Sequence, residues 1–444
     1  MTGTEAPLTP DHRTPDHRTP DHRTPGFVRD RLTTTAYGGL AVYAYLLYAL
    51  GPLLPLLRQD LRLSYALMSL HSTAFAAGAI LTNLLFRRLR TRLGHRVLFW
   101  SALVALALGS LLLATGLSAA VTLAAAALGG IGGALLQTTA LAVLAEHHGA
   151  HESLRARALV EANAAASVSA LAAPLVISGL EGAGASWNWC LVLPALALAA
   201  MYPMLRDEPL RPRAAPSEAS TAETTTAEAT RAEAANTDAA DKDRPTGSFP
   251  LRAALCGLVV GFEFCLAYYA APLLTSAVDM TDSQASAALA LFYGGELAGR
   301  LAGSRLTAGA RTAGPAALVA GSLTVAAAGF LALWLAPTTW LALLGLVLGG
   351  LGVANLFPLT LSLAVSAAPG RIDQATARVQ LAVSTCIMLA PLLLGTLSDR
   401  LGVRSAFGLA GLLLPAAALL LAAGRRRPLP ADASSSGVTP HVPR

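Results

Sequence analysis

The sequence predicts an all-α polytopic membrane protein of twelve transmembrane helices arranged as two pseudo-symmetric six-helix bundles. Three observations carry that class. Of 444 residues, 54% are hydrophobic and only 13% charged, about half the charge density of an average soluble domain. Val97 to Ala145 and Thr312 to Gly370 contain no Asp, Glu, Lys or Arg, whereas about 18 apolar residues already suffice to cross a bilayer. The apolar runs also fall into two sets of six with a long polar stretch between them. An ordinary soluble enzyme is excluded by too little charge, and a disordered chain by too much hydrophobicity.

Residues 1–32 form a polar arm carrying the pentapeptide Thr-Pro-Asp-His-Arg three times in tandem from Thr9 to Arg23. A proline every five residues prevents a continuous helix, so the arm is expected to be disordered and cytoplasmic. His12, His17 and His22 recur in it, but a flexible tract gives them no preformed metal geometry. The N-terminal bundle, 33–205, holds spans near 34–56, 66–86, 97–116, 119–144, 157–179 and 187–205. Residues 206–249 are rich in Ala, Thr, Glu, Asp and Pro and read as a disordered cytoplasmic linker, because they have too few large apolar residues to fold alone. The C-terminal bundle, 250–424, holds spans near 251–276, 284–304, 313–335, 338–366, 375–396 and 404–423. Residues 425–444 form a tail.

Charge sets the orientation. With the N-terminus inside, the outer loops hold only Arg58, Arg62, Arg400 and Arg404, leaving 28 of the 32 basic residues on or near the inner side. Arg87, Arg88, Arg90, Arg92 and Arg96 crowd one inner loop. The positive-inside rule therefore places both termini in the cytoplasm of a cell (inner or plasma) membrane protein. It also accounts for the net charge of +6 without nucleic acid. Polar residues precede the first span, so no cleavable signal is expected. Cys190, Cys256, Cys265 and Cys386 sit in apolar runs without metal-ligand spacing and read as packing residues. His147, His148 and His151 read as an interfacial basic patch rather than a metal site.

The two halves repeat. A shift of 217 residues superposes Phe75 on Phe292, Gly78 on Gly295, Arg88 on Arg305 and Ala173-Pro174-Leu175 on Ala390-Pro391-Leu392. A shift of 220 superposes Gly129-Gly130-Ile131-Gly132 on Gly349-Gly350-Leu351-Gly352. The matches keep their order, span 2 on 8, 4 on 10 and 5 on 11, which is the mark of a true internal repeat.

From residue 33 to 424 the sequence resembles the major facilitator superfamily. Gly51-Pro52-Leu53-Leu54-Pro55 through Leu61 looks like the end of that family's first helix. Arg90-Thr91-Arg92-Leu93-Gly94-His95-Arg96 resembles its loop after helix 2, usually Asp-Arg-x-Gly-Arg-Arg, with Thr91 where the Asp stands. The fuller version, Gly395-Thr396-Leu397-Ser398-Asp399-Arg400-Leu401-Gly402-Val403-Arg404, falls between spans 11 and 12, on the outer side by the charge count. Gly299-Arg300-Leu301 with Arg305 resembles the equivalent loop after helix 8. Ser169 to Pro174 resembles a degraded exporter motif, Gly-x-x-x-Gly-Pro. The resemblance implies secondary transport by alternating access around a site near the midplane.

An ionisable group in hydrocarbon costs roughly 3 kcal/mol on insertion scales, so each needs a reason. Glu263 lies about 13 residues, roughly 20 Å, into span 7 and is flanked by Phe262 and Phe264. It and Glu296 are the candidate proton-coupling groups; a hydrogen-bonded structural carboxyl is the alternative for Glu263. Glu296 and Arg300 are spaced to pair on one helix face, as a gate or as an ion pair near the interface. Glu161 aligns with Arg378 in the repeat, which suggests a salt bridge between halves closing the inner side, with snorkelling of Glu161 as the alternative. Arg378 could instead attract an anion. Tyr45, Gln137, Asn163, Tyr268, Asn355 and Gln380 are candidate substrate contacts, and His71 reads as a packing histidine.

There is no Gly-Lys-Ser/Thr phosphate loop and no His-Glu-x-x-His, so neither an ATP-driven pump nor a membrane zinc enzyme is expected. No cofactor is expected beyond the proton gradient as energy source. The reading is proton-coupled export of small, partly apolar organic molecules. The alternative is a proton symporter importing a sugar, amino acid or organic acid; a receptor or enzyme fits less well. Expected partners are the substrate, protons and the lipid bilayer, and the chain is expected to act as a monomer.

Overall fold

In the computed structural model the described residues are 27–148, 152–205, 248–309, 314–368 and 372–425. The histidine repeats, His151, most of the linker and the tail beyond 425 lie outside them, as do the side chains of Arg87 and Arg305. Every described segment longer than a turn is helical. The helices are α1 (Arg31–Asp60), α2 (Tyr65–Ala114), α3 (Ala119–His147), α4 (Glu152–Gly182) and α5 (Trp189–Leu205) in the first half. The second half holds α6 (Phe249–Ala277), α7 (Asp282–Gly309), α8 (Pro315–Trp334), α9 (Thr339–Val353), α10 (Leu356–Val365), α11 (Ile372–Leu401), α12 (Val403–Ala410) and α13 (Leu413–Arg425).

Helices stand at the positions of the twelve expected spans. Helix α2 holds spans 2 and 3 and breaks at Gly94, whose φ of 73° is open to glycine. Span 10 is α9 with α10, and span 12 is α12 with α13. Among the described residues, ten segments are long and apolar enough to cross a membrane; α5, at 17 residues, and the more polar α7 occupy the positions of spans 6 and 8. Asp30, Ser64 and Ser118 cap α1, α2 and α3 by accepting from Thr33, Leu67 and Val121 N–H. The odd-to-even turns lie at one end of the bundle, here the far face. Residue 27, residue 425 and the remaining turns lie at the other, the terminus face.

The repeat seen in the sequence is a repeat of packing. A Cβ on Gly130 would lie 1.9 Å from the Phe75 carbonyl oxygen, and one on Gly350 would lie 2.0 Å from that of Phe292. Gly78 and Gly295 press in the same way on Ala127 and Val347, and Gly109 and Gly329 on Gly129 and Gly349. In lipid, where burial of apolar surface does not drive helices together, such close backbone approach is the main source of packing energy. Each contact is therefore intolerant of a methyl group. Gly130→Ala should cost about 1–3 kcal/mol through overpacking. It should lower the melting temperature of the purified protein, whereas Gly179→Ala, with open space around its Cα, should leave it unchanged.

The halves meet along α2 against α11, α4 against α7, and α1 against α6 and α7. Cross-half hydrogen bonds crowd toward the far face. Asp399 Oδ1 and Oδ2 accept from the Tyr65 and Ala66 N–H groups at 2.7 and 2.9 Å. Ser69 bonds Tyr269, Thr73 donates to the Met388 carbonyl (2.9 Å), and Gln59 donates to Asp282 (3.1 Å). Ser283 donates to the Ser178 carbonyl (3.0 Å). The far side is shut.

Candidate functional site

Toward the terminus face the halves separate around a central cavity of about 560 Å³. Its walls come from helical stripes: Leu40, Tyr43, Ala44, Leu47 and Tyr48 on α1, and Val160, Asn163, Ala164 and Ser167 on α4. Each stripe follows the i, i+3, i+4, i+7 spacing that puts residues on one helix face. Fourteen of the 21 lining residues are apolar. The polar seven are Tyr43, Tyr48, Gln137, Asn163, Ser167, Glu263 and Arg300.

The polar groups converge at mid-depth. Glu263 is 14 residues into the 29-residue α6, half-buried, and its carboxylate faces the cavity. Glu296, 3% exposed, lies behind the wall and pairs with Arg300 one turn on. The Arg300 guanidinium also donates to Ser167 Oγ at 3.2 Å, joining α7 to α4 across the halves. It interacts with Tyr48 and Glu263 as well. The result is two carboxyl groups and one guanidinium in a site of low dielectric, with the carboxyl of Glu263 left free to take a proton or a ligand.

Among the other sequence candidates, Gln137 and Asn163 line the cavity, Asn163 while donating to the Leu159 carbonyl (2.9 Å). Four do not line it. Tyr45 lies in a lateral recess with Ser169, Leu193 and Pro194, its hydroxyl enclosed and without a hydrogen-bond partner among the described residues. Tyr268 is buried against Phe264. Asn355 stands at the break between α9 and α10, and its side chain donates to the Gly299 carbonyl at 2.7 Å. Gln380 is exposed on α11, outside the cavity wall. His71 is buried, with both ring nitrogens bonded, to the Leu67 carbonyl and to Thr122 Oγ1.

The Glu161–Arg378 bridge is not formed in this conformation, and Arg378 is exposed. Glu161 instead binds Arg29 at 2.7 Å and Arg157 at 3.1 Å, with the Tyr37 hydroxyl at 3.4 Å. The root of the arm packs here and supplies Arg29 as the partner. Phe27 packs on His148 and beneath Arg157, His147 meets Asp30 at 2.5 Å, and Thr33 meets His148 at 2.9 Å. Burial pushes the Asp30 carboxyl up, but hydrogen bonds from Thr33 and His147 outweigh it and hold the group below its ordinary value. A depressed carboxyl stabilises the fold above its unfolded value, so this clasp holds at neutral pH and is lost only on strong acidification. Sequence reading also passed over Ser167 as a partner of Arg300; the stripe spacing on α4 was the available signal.

Two repeated helical halves around a central cavity are the architecture of a secondary membrane transporter. The chain belongs to the major facilitator superfamily, whose sequence pattern it matches over residues 36–246 and 253–442. Among solved structures it is similar to a bacterial homolog of the human lysosomal transporter Spinster in an inward-facing, unoccupied conformation. That pair shares 16% identity and a TM-score of 0.66 over 89% of this chain and 96% of the other. A D-xylose–proton symporter gives 15%, 0.69, 88% and 96%, and a nucleoside transporter 14%, 0.65, 89% and 98%. At these identities the likeness is one of fold. No curated protein matches by sequence.

Proposed function

We propose that this chain is a proton-coupled exporter of small, partly apolar organic molecules, working with its terminus face in the cytoplasm. The observation that carries this reading is Glu263, a carboxyl that forms no salt bridge among the described residues, at mid-depth on the wall of a largely apolar cavity. A cavity with fourteen apolar lining residues of 21 suits a drug-sized apolar body better than a sugar, which needs a denser set of hydrogen bonds. The residues lining the cavity lie toward the terminus face of the bundle, the side from which an exporter would load. Proton entry from the far side would then discharge the substrate, while Arg300 would stay paired with Glu296 and keep α7 against α4 through the cycle.

Two steps test the proposal. Compounds that accumulate less in cells producing the protein than in cells lacking it identify a substrate. In proteoliposomes, that substrate should then move against its gradient when a pH difference is imposed, and should stop when a protonophore collapses it. Transport that is indifferent to the pH difference, or higher accumulation in producing cells, would overturn the reading.

A further inference from the structure

The charges of the cavity select among substrates. Resting on the proposed transport role of this same site, we infer that the ligand class is a lipophilic organic cation, held by Glu263 in exchange for a proton. The ionisable groups facing the cavity are few: Tyr43 and Tyr48 from α1, Arg300 from α7, and Glu263 itself. Glu296 and Tyr293 lie just behind it on α7; among the described residues α3, α4, α9 and α10 contribute no ionisable group and the remaining helices contribute no lining residue. Of the charged groups, Arg300 is committed to Glu296 and to Ser167.

One guanidinium thus faces two carboxyl groups. Ionised, the cluster carries a net charge of −1, and the rest of the wall is neutral. In a medium that screens poorly, an anion would meet that charge uncompensated, while a cation neutralises it. Tyr43 and Tyr48 add aromatic surface of the kind that receives bulky cations. Binding balances without any further reactant: Glu263 gives up its proton to water as the cation arrives, and takes one back as the cation leaves. Exchange is then one for one and electroneutral. Arg378, which could have drawn an anion, does not line the cavity.

The test uses two ions of the same shape and opposite charge, tetraphenylphosphonium and tetraphenylborate, in equilibrium dialysis against the full chain in uncharged detergent. The phosphonium should bind with one site per chain, at least tenfold tighter than the borate, and tighter at pH 8 than at pH 6. Glu263→Gln should weaken it at least tenfold, and Glu263→Asp should restore most of the loss. Size-exclusion profiles confirm that the variants are folded, and the comparison of the two ions on the unaltered chain needs no variant at all. Equal binding of both ions, or tighter binding of the borate, would overturn the inference. Phosphonium binding without proton-driven transport would support the cation site while removing the proton-coupled reading. Proton-driven transport of a neutral or anionic compound without phosphonium binding would do the reverse.

Discussion

Glu263→Gln is expected to abolish gradient-driven transport while leaving passive substrate exchange in place. Glutamine keeps the size of the side chain and can still donate and accept hydrogen bonds, but it cannot carry a proton. A one-for-one exchange sustains about a tenfold concentration ratio per pH unit, since 1.36 kcal/mol corresponds to a factor of ten. In proteoliposomes the variant should therefore fall from roughly tenfold per pH unit to no accumulation. Exchange of labelled for unlabelled substrate should continue, because the halves can still rock with the cavity occupied. The variant should also remain folded, since Glu263 faces a cavity and Arg300 keeps its pairing with Glu296.

Asp399→Ala should open the far face. This carboxylate lies at the end of α11 and accepts from the first N–H groups of α2 in the other half, where the opening donors have no carbonyl partner within the helix and the helix dipole is positive. It acts as the cap of a helix to which it is not joined, so the cap exists only while the far side is closed. Gly395 permits this approach, because a Cβ there would meet Tyr65, Ser69 and Tyr269 within 2.6 Å. Loss of a cap costs about 0.5–2 kcal/mol, and 1–2 kcal/mol corresponds to a roughly five- to thirtyfold change in a population ratio. Asp399 is exposed, which places the effect toward the lower end. A cysteine at Leu297, on the cavity wall, reports the change. In sealed vesicles an impermeant thiol reagent applied to the far side should label it several-fold faster when Asp399 is replaced. An unchanged far-side rate would remove the latch.

The motif around Asp399 resembles a loop on the opposite face, and nothing in its sequence points to a partner 333 residues away. The twelve spans, by contrast, were legible because a bilayer demands long apolar runs. The repeat was legible because Phe75 with Gly130 and Phe292 with Gly350 are the same contact made twice. Which way each helix faces was not legible. A helix that is apolar all round gives little sign of its rotation, so Tyr45 and Tyr48 looked alike, yet only Tyr48 reaches the cavity. Charged positions escaped that difficulty: Glu263 and Arg300 line the cavity because hydrocarbon leaves them nowhere else to go. Arg29 was missed since it belongs to a segment whose neighbours on one side are all low-complexity.

The central claim is that Glu263 carries the proton that drives transport through this cavity. Proton and substrate fluxes recorded together, in the same proteoliposomes, test it most directly. The unaltered chain should move one proton for each substrate molecule, in the opposite direction, and Glu263→Gln should exchange substrate with no accompanying proton flux. A proton flux that persists in Glu263→Gln, in the same ratio to substrate, would contradict the account.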